Sequence, residues 1–297
     1  MKWKNKGHEF DCVYQNIISK KKFYLFGAGD YGRQFVHLFN GEIQMMGVID
    51  NNIEKQGKIV EGLPCVSFEV VKKDPTVGII VTMSQIARTE PLLQLKNAGF
   101  VLGEDCFLIE EFLSVYYVYK YDKVYFSSIS ILPSTTCNLK CKNCLNFNSY
   151  TDHFYVREWE NIISDIDLFF SCVDRIMLFH VSGGEPMLYR PIAELIEYID
   201  KVYGDRIDTL RTVTNGTIIP PDSVLEKLSH CRVEIIVDDY RESVPAYKNN
   251  FLQLLRFLYK GIIINHNKKL SQPTLKRRFF KKKAAFFSWP GLGKEWC

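Results

Sequence analysis

The sequence predicts an α/β protein with two parallel-sheet units in tandem, and three observations predict it. Short apolar runs alternate with stretches whose apolar residues recur every three or four positions. Many of the runs end in glycine or in a polar motif, as strands do where they hand over to a helix. A tyrosine-rich stretch, residues 110–123, divides the alternation into an N-terminal and a C-terminal series.

The N-terminal series opens with Phe23, Tyr24, Leu25 and Phe26, an apolar run that stops at Gly27. A helical pattern follows over residues 31–39. Residues 46–49 read as a second strand ending in Asp50, and residues 78–82 as a third. A helix over 86–98 is closed by Gly99. Residues 110–123 read as a helical or irregular connector. This unit is expected to span residues 1–115, with three or four strands. Between its first strand and first helix stand Gly27, Ala28, Gly29, Asp30, Tyr31 and Gly32, a G-x-G-x-x-G loop. Asp50 ends the next strand about 20 residues on, the setting of a Rossmann-like nucleotide site. There Gly27, Gly29 and Gly32 let phosphates approach, the helix N-terminus favours an anion, and Asp50 reaches ribose hydroxyls. A second reading is a unit that binds only a partner, or nothing, because the strands are few. Residues 47–52 and 62–64 resemble small Rossmann-like modules attached to sugar-modifying enzymes of bacterial surface-polysaccharide pathways. That resemblance implies a nucleotide-sugar ligand as readily as NAD.

The C-terminal series begins near Val124, in a unit expected over residues 116–265. Residues 128–132 form a strand that runs into a group of cysteines. Trp159, Ile162, Ile163, Ile166, Phe169 and Phe170 share one helical face. Residues 175–181 make a strand that ends in Ser182, Gly183 and Gly184. Ile192, Leu195, Ile196, Ile199 and Val202 give the next helical face, with Pro191 at its start. Strands over 209–214 and 233–237 end in Asn215 and Gly216 and in Asp238 and Asp239. Phe251, Leu254, Leu255 and Leu258 suit one more helix, before a strand at 262–264. Motifs at the C-terminal ends of successive strands stand where α/β barrels place their active sites. About five βα units fall short of a closed eight-stranded barrel, so a partial (β/α) TIM-like barrel is expected.

The chain holds nine cysteines, an odd number and mostly scattered, which does not read as a disulfide framework. Cys137, Cys141 and Cys144 stand apart from the others with the spacing C-x3-C-x2-C. Three thiolates on one loop hold three irons of a cubane cluster and leave a fourth iron open to another ligand. Lys140 and Lys142 are expected to lower the thiol pKa values. The competing reading is a zinc knuckle with His153 as fourth ligand, though no second paired half-site is evident.

C-x3-C-x2-C just after a strand resembles the signature of the radical S-adenosylmethionine (radical SAM) superfamily. Ser182, Gly183, Gly184, Glu185 and Pro186 follow the next strand and resemble the family's GGE motif. Thr214, Asn215, Gly216 and Thr217 follow the strand after that, where many peptide- and sugar-modifying members carry TNG. The resemblance covers about residues 124–265, and the order of the three motifs is more specific than any one of them. It implies a [4Fe–4S] cluster on Cys137, Cys141 and Cys144, with S-adenosylmethionine bound at the open iron. Gly183 and Gly184 then admit the cosubstrate, Glu185 accepts a hydrogen bond from its ammonium, and Asn215 and Asp238 reach its ribose. Reductive cleavage to a 5′-deoxyadenosyl radical and hydrogen abstraction from a substrate would follow. That substrate is a sugar, a nucleotide-sugar, another small molecule or a peptide. A low-potential donor such as ferredoxin or flavodoxin would supply the electron. One departure stands out: many members carry an aromatic residue just before the third cysteine, and here that residue is Asn143. Phe147 is the nearest substitute.

The net charge of +4 is unevenly spread. Residues 243–297 hold 12 Lys or Arg against one acid, Glu295, which leaves 26 bases against 33 acids in residues 1–242. The body is mildly acidic, which gives no support to nucleic-acid binding by the whole protein. Residues 266–297 form a basic tail interleaved with Phe279, Phe280, Phe286 and Phe287. It reads as a surface-binding arm, a solvated end, or the product of a shifted reading frame near Gly261. No apolar run reaches the roughly 18 residues of a membrane span, and the N-terminus lacks a signal-peptide core, so a cytoplasmic location is expected. The rival from another class is a nucleotide-binding regulatory or scaffold protein with a degenerate barrel.

Overall fold

The computed structural model describes residues 7–238 apart from 142, 143, 145 and 152. Asn143, Asp239, the helix at Phe251, the strand at 262–264 and the basic tail lie outside the described residues. Helix α1 (Asp11–Ser19) precedes β1 (Lys22–Phe26), α2 (Asp30–Phe39), β2 (Met45–Ile49), β3 (Ile59–Val60), β4 (Leu63–Val66), β5 (Val77–Val81), α3 (Thr89–Asn97), β6 (Cys106–Leu108) and α4 (Ile109–Tyr121). The first sheet has six strands in the order β3-β4-β2-β1-β5-β6, parallel except for the β3–β4 hairpin. β1 lies between β2 and β5, so the chain reverses direction of build at β1, and Gly27 follows that strand directly. This is the crevice in which open α/β sheets bind ligands.

The expectation of three or four strands is corrected to six. β3, β4 and β6 have two to four residues each, too short for a periodic signal to emerge. The helix expected over 86–98 starts only at Thr89, and Ile86 stands 81% exposed in the turn before it. The tyrosine-rich connector is the regular helix α4, which is buried on more than one side. Phe112 packs edge-on against Phe23, Phe35 and Phe39 of the first unit, while Tyr117 meets Tyr125 of the second at a centroid distance of 4.5 Å. A helix packed on both sides shows no single apolar stripe, which is why its sequence reads as irregular.

The second series comprises β7 (Tyr125–Ile131), α5 (Trp159–Cys172), β8 (Arg175–Val181), α6 (Ile192–Tyr203), β9 (Ile207–Thr214), α7 (Asp222–Ser229) and β10 (Val233–Val237). Its four strands are parallel and lie in the order β10-β9-β8-β7, the arc of a partial (β/α) barrel. The residues of the expected fifth unit lie outside the described residues. Ile162, Ile166 and Phe170 of α5, Leu195, Ile196 and Ile199 of α6, and Leu225 and Leu228 of α7 are all buried against Phe179, Val181, Leu210 and Ile235. The alternate residues Leu178 and Arg211 look instead toward the first unit, since side chains alternate along a strand. Tyr125 of β7 is fully buried, belongs to the core of the first unit and donates to Asp208. No helix among the described residues is long and apolar enough to cross a membrane.

Candidate active site

The C-terminal ends of β7, β8, β9 and β10 lie side by side, so sheet order alone brings four loops to one edge. The chain leaving β7 passes Ser134 and Thr136 before Cys137. The chain leaving β8 pairs with it: Gly184 N donates to Ser134 O at 2.9 Å, and Glu185 N to Thr136 O at 2.8 Å. Gly183 has φ +135°, and a Cβ there would fall 2.3 Å from Ser134 O. At Gly184 a Cβ would fall 2.0 Å from Thr136 O. What the two glycines admit here is thus the chain's own backbone, immediately before the first cysteine. Asn146 donates to Gly183 O and ties the far side of the cysteine loop to the same turn. Gly184→Ala is expected to destabilise the fold by about 2–3 kcal/mol, the usual cost of overpacking against backbone. Urea unfolding reads that loss, and anaerobic iron uptake should fall with it because Thr136 adjoins Cys137.

Glu185 is 2% exposed, and its carboxylate gathers the neighbouring loop. Oε1 accepts from Thr214 Oγ1 at 2.6 Å and Met187 N at 3.1 Å, and Oε2 accepts from Asn215 N at 2.8 Å. Burial pushes its pKa up, the three donors pull it back in part, and the charge of Asp238 adds to the rise. A carboxylate accepts about four bonds, so Oε2 keeps capacity for one further donor. Asn215 points elsewhere: its Nδ2 donates to Asn138 Oδ1 at 3.0 Å, and its Oδ1 accepts from Thr217 N at 2.9 Å. Asn138 Nδ2 donates in turn to Thr217 Oγ1 at 2.7 Å. Asn138 lies between Cys137 and Cys141, so this ring locks the cysteine loop to the loop after β9. Asp238 donates its backbone N–H to Thr214 O at 2.9 Å, and burial raises its side-chain pKa.

The three cysteines are half-buried on this loop. Cys137 stands close enough to Cys141, Cys144 and Glu185 for their charges to act on it. Lys142 lies outside the described residues, and Lys140 is not among the main groups that act on Cys137. Burial pushes that thiol up, and a bond from Leu139 N to Cys137 Sγ at 3.4 Å opposes the rise. Among the described residues no group of three or more His, Cys, Asp or Glu side chains stands placed to hold a metal ion. The donor set nonetheless suits an iron–sulfur cluster: three thiols on one loop, with an N–H aimed at a sulfur, as cluster ligands receive. Phe147 is 69% exposed, and its ring lies near Tyr150. His153 is exposed, its backbone bonded to Thr151.

At the other site, Gly27 has φ +125° and a Cβ there would fall 2.9 Å from Thr82 O, while one at Gly32 would fall 2.0 Å from Gly27 O. Asp50 accepts from Ala28 N at 3.0 Å, Asn52 N at 2.9 Å and Lys55 Nζ at 2.8 Å. Burial would raise its pKa, but these partners outweigh burial and hold it low. The carboxylate therefore braces the glycine loop. Sequence reasoning missed Asn138, Asn146 and Arg211. Arg211 alone carried a signal, a charge in the middle of a strand whose residues from Thr209 to Thr214 are otherwise apolar or threonine.

A parallel βα arc that brings a three-cysteine loop against a buried carboxylate at its strand ends defines a barrel enzyme of cofactor-dependent type. Residues 131–258 match the family model described as the Radical SAM superfamily. The chain thus carries a radical SAM domain, the mark of an enzyme that uses S-adenosylmethionine. Among solved structures, SuiB of Streptococcus suis, bound to S-adenosylmethionine, is similar at 21% identity over 50% of this chain and 30% of its own, with a TM-score of 0.30. UDP-D-quinovosamine 4-dehydrogenase of Vibrio fischeri is similar at 19% identity over 27% of this chain and 74% of its own, with a TM-score of 0.24. Methyltransferase FkbM of Methylobacillus flagellatus is similar at 9% identity over 84% and 87%, with a TM-score of 0.28. The chain spans well under half of SuiB, and likenesses at these scores fix neither ligand nor substrate.

Proposed function

We propose that this two-unit chain, divided near residue 115, reductively cleaves S-adenosylmethionine and takes a hydrogen atom from an organic substrate, a small molecule or a peptide. The observation that carries this reading is the locked arrangement of the cysteine loop, Glu185 and residues 214–217 on one strand edge. When bound, a [4Fe–4S] cluster and S-adenosylmethionine supply the electron and the carbon-centred radical. Cys137, Cys141 and Cys144 hold the cluster. Glu185 Oε2 would accept a charge-assisted bond from the ammonium of the methionine moiety. Asp238 would serve the ribose, and Asn215 keeps the cysteine loop in register through Asn138. A reducing cytoplasm suits free thiols, and a donor of the ferredoxin or flavodoxin class provides the electron.

The test is anaerobic reconstitution with iron and sulfide, then dithionite and S-adenosylmethionine, with 5′-deoxyadenosine as readout. Brown protein that forms 5′-deoxyadenosine supports the reading, and colourless protein that retains zinc overturns it. The outward position of Phe147 favours one second reading, a nucleotide-binding regulatory or scaffold protein with a degenerate barrel. Cluster uptake without 5′-deoxyadenosine would be its signature.

A further inference from the structure

A cavity of about 470 Å³ lies between the two sheets. One wall is the glycine loop, with Gly29 and Asp30, and the other is the inner face of the second sheet, with Leu178 of β8 and Arg211 of β9. That volume suits a nucleotide-sized ligand.

The most telling wall residue is Gly29. Its backbone is ordinary and extended, with φ −89° and ψ −165°, and a Cβ there would meet nothing within 4 Å. Gly27 and Gly32 are demanded by the fold, as shown above, whereas nothing among the described residues requires glycine at 29. A ligand pressed against the loop does require it, because a methyl group would stand between the backbone and a phosphate. Two buried acceptors or donors also lack partners among the described residues, Gln34 Oε1 in the cavity wall and His180 Nε2, whose residue is the cross-strand neighbour of Arg211. Arg211 is 8% exposed. Glu234 holds its Nε and Nη2 at 2.9 and 2.7 Å, and Nη1 is left 3.5 Å from Asp30. That last contact is too long for a strong bond, and a phosphate oxygen is a better partner for the guanidinium. The N-terminus of α2 opposite adds its partial positive charge. Two of the three acids of the wall are matched already, Asp50 by Lys55 and Asp30 by Arg33, and the third, Glu90, is exposed to solvent.

From this we infer that the cavity takes a nucleoside diphosphate group, its phosphates between the loop at Gly29 and Arg211, and whatever that group carries lying on the inner face of β8 and β9. Arg211 stands three residues before Thr214, about 10 Å along the strand. A substituent beyond the diphosphate therefore reaches toward the strand ends at Glu185. The substrate of the radical reaction is then a nucleoside-diphosphate-linked compound. Its role as substrate rests on the proposed function, while its binding does not.

Isothermal titration of the full chain as purified, without cluster or S-adenosylmethionine, tests binding separately. The probes are UDP, ADP and NAD+. One of the diphosphates is expected to bind at about 100 µM or tighter. Gly29→Ala should weaken it at least about tenfold with the urea midpoint unchanged, because the added methyl meets only the ligand. Arg211→Lys, which keeps the charge but loses the planar fork, should weaken it by a smaller factor. No binding by any probe, or equal binding by Gly29→Ala protein, overturns the inference. Tighter binding of NAD+ than of either diphosphate overturns the substrate assignment in favour of a dinucleotide cofactor. Protein that forms 5′-deoxyadenosine yet binds no probe sinks the cavity proposal alone.

Discussion

Cys141→Ala protein, reconstituted anaerobically, is expected to fall from about four irons per chain to fewer than about one, and to form no 5′-deoxyadenosine above background. Three thiolates are the minimum that hold a cubane with one open iron, and here all three sit on one short loop. Removal of the central cysteine leaves Cys137 and Cys144 with no third protein thiol nearby on that loop to replace it. The loss should be specific. Cys12→Ala removes an exposed thiol on α1, remote from the strand ends, and should leave iron content and product unchanged. Urea unfolding of the cluster-free proteins should not separate the two variants, because Cys141 is only half-buried and no core forms around it. Full iron content and wild-type product in the Cys141→Ala protein would remove the cluster from this loop.

β8 is legible as a continuous apolar run, Ile176 to Phe179, buried on both faces. The helices α5 and α6 are legible because each shows a single apolar face of the right period and packs on one side. α4 hid its nature by packing on two. The short strands β4 and β6 owe their existence to pairing with β2 and β5, a nonlocal cause that leaves little local trace, and β3 exists only as the two-residue arm that pairs with β4. The site shows the same division. Three motifs marked the strand ends, since glycine and cysteine spacings are local. The hydrogen bonds that join the motifs, through Asn138, Thr214 and Thr217, link residues 77 and 79 positions apart. The glycines of residues 183 and 184 were found for their position, but the reason they are glycine is the approach of residues 134–136, visible only once the strands pair.

Glu185→Ala is expected to cost about 2–4 kcal/mol in urea unfolding, the largest stability loss from a single site change at the strand ends. The substitution strands Thr214 Oγ1, Asn215 N and Met187 N, and each buried donor without a partner costs about 1–3 kcal/mol, partly offset by the end of carboxylate desolvation. Glu185→Gln separates charge from bonding. In either orientation of the amide one backbone N–H, of Asn215 or of Met187, faces an amide N–H, so the isosteric variant should also lose about 1–3 kcal/mol. pH then isolates the charge. Burial raises the Glu185 pKa above its ordinary 4.5, so the folded protein binds this proton more tightly than the unfolded chain does. The contribution of Glu185 is therefore most favourable below pH 4.5, declines as pH rises through the folded-state pKa, and is flat above it. Glutamine has no such dependence. The stability gap between wild type and Glu185→Gln protein should accordingly narrow as pH is raised from about 4.5 toward neutrality, in parallel urea titrations that cancel every other titrating group. A gap that widens over that range would mean the carboxylate is stabilised, not strained, by its burial. Glu185 would then act as a structural anchor whose charge the loops already satisfy, leaving no incentive for it to take up an ammonium.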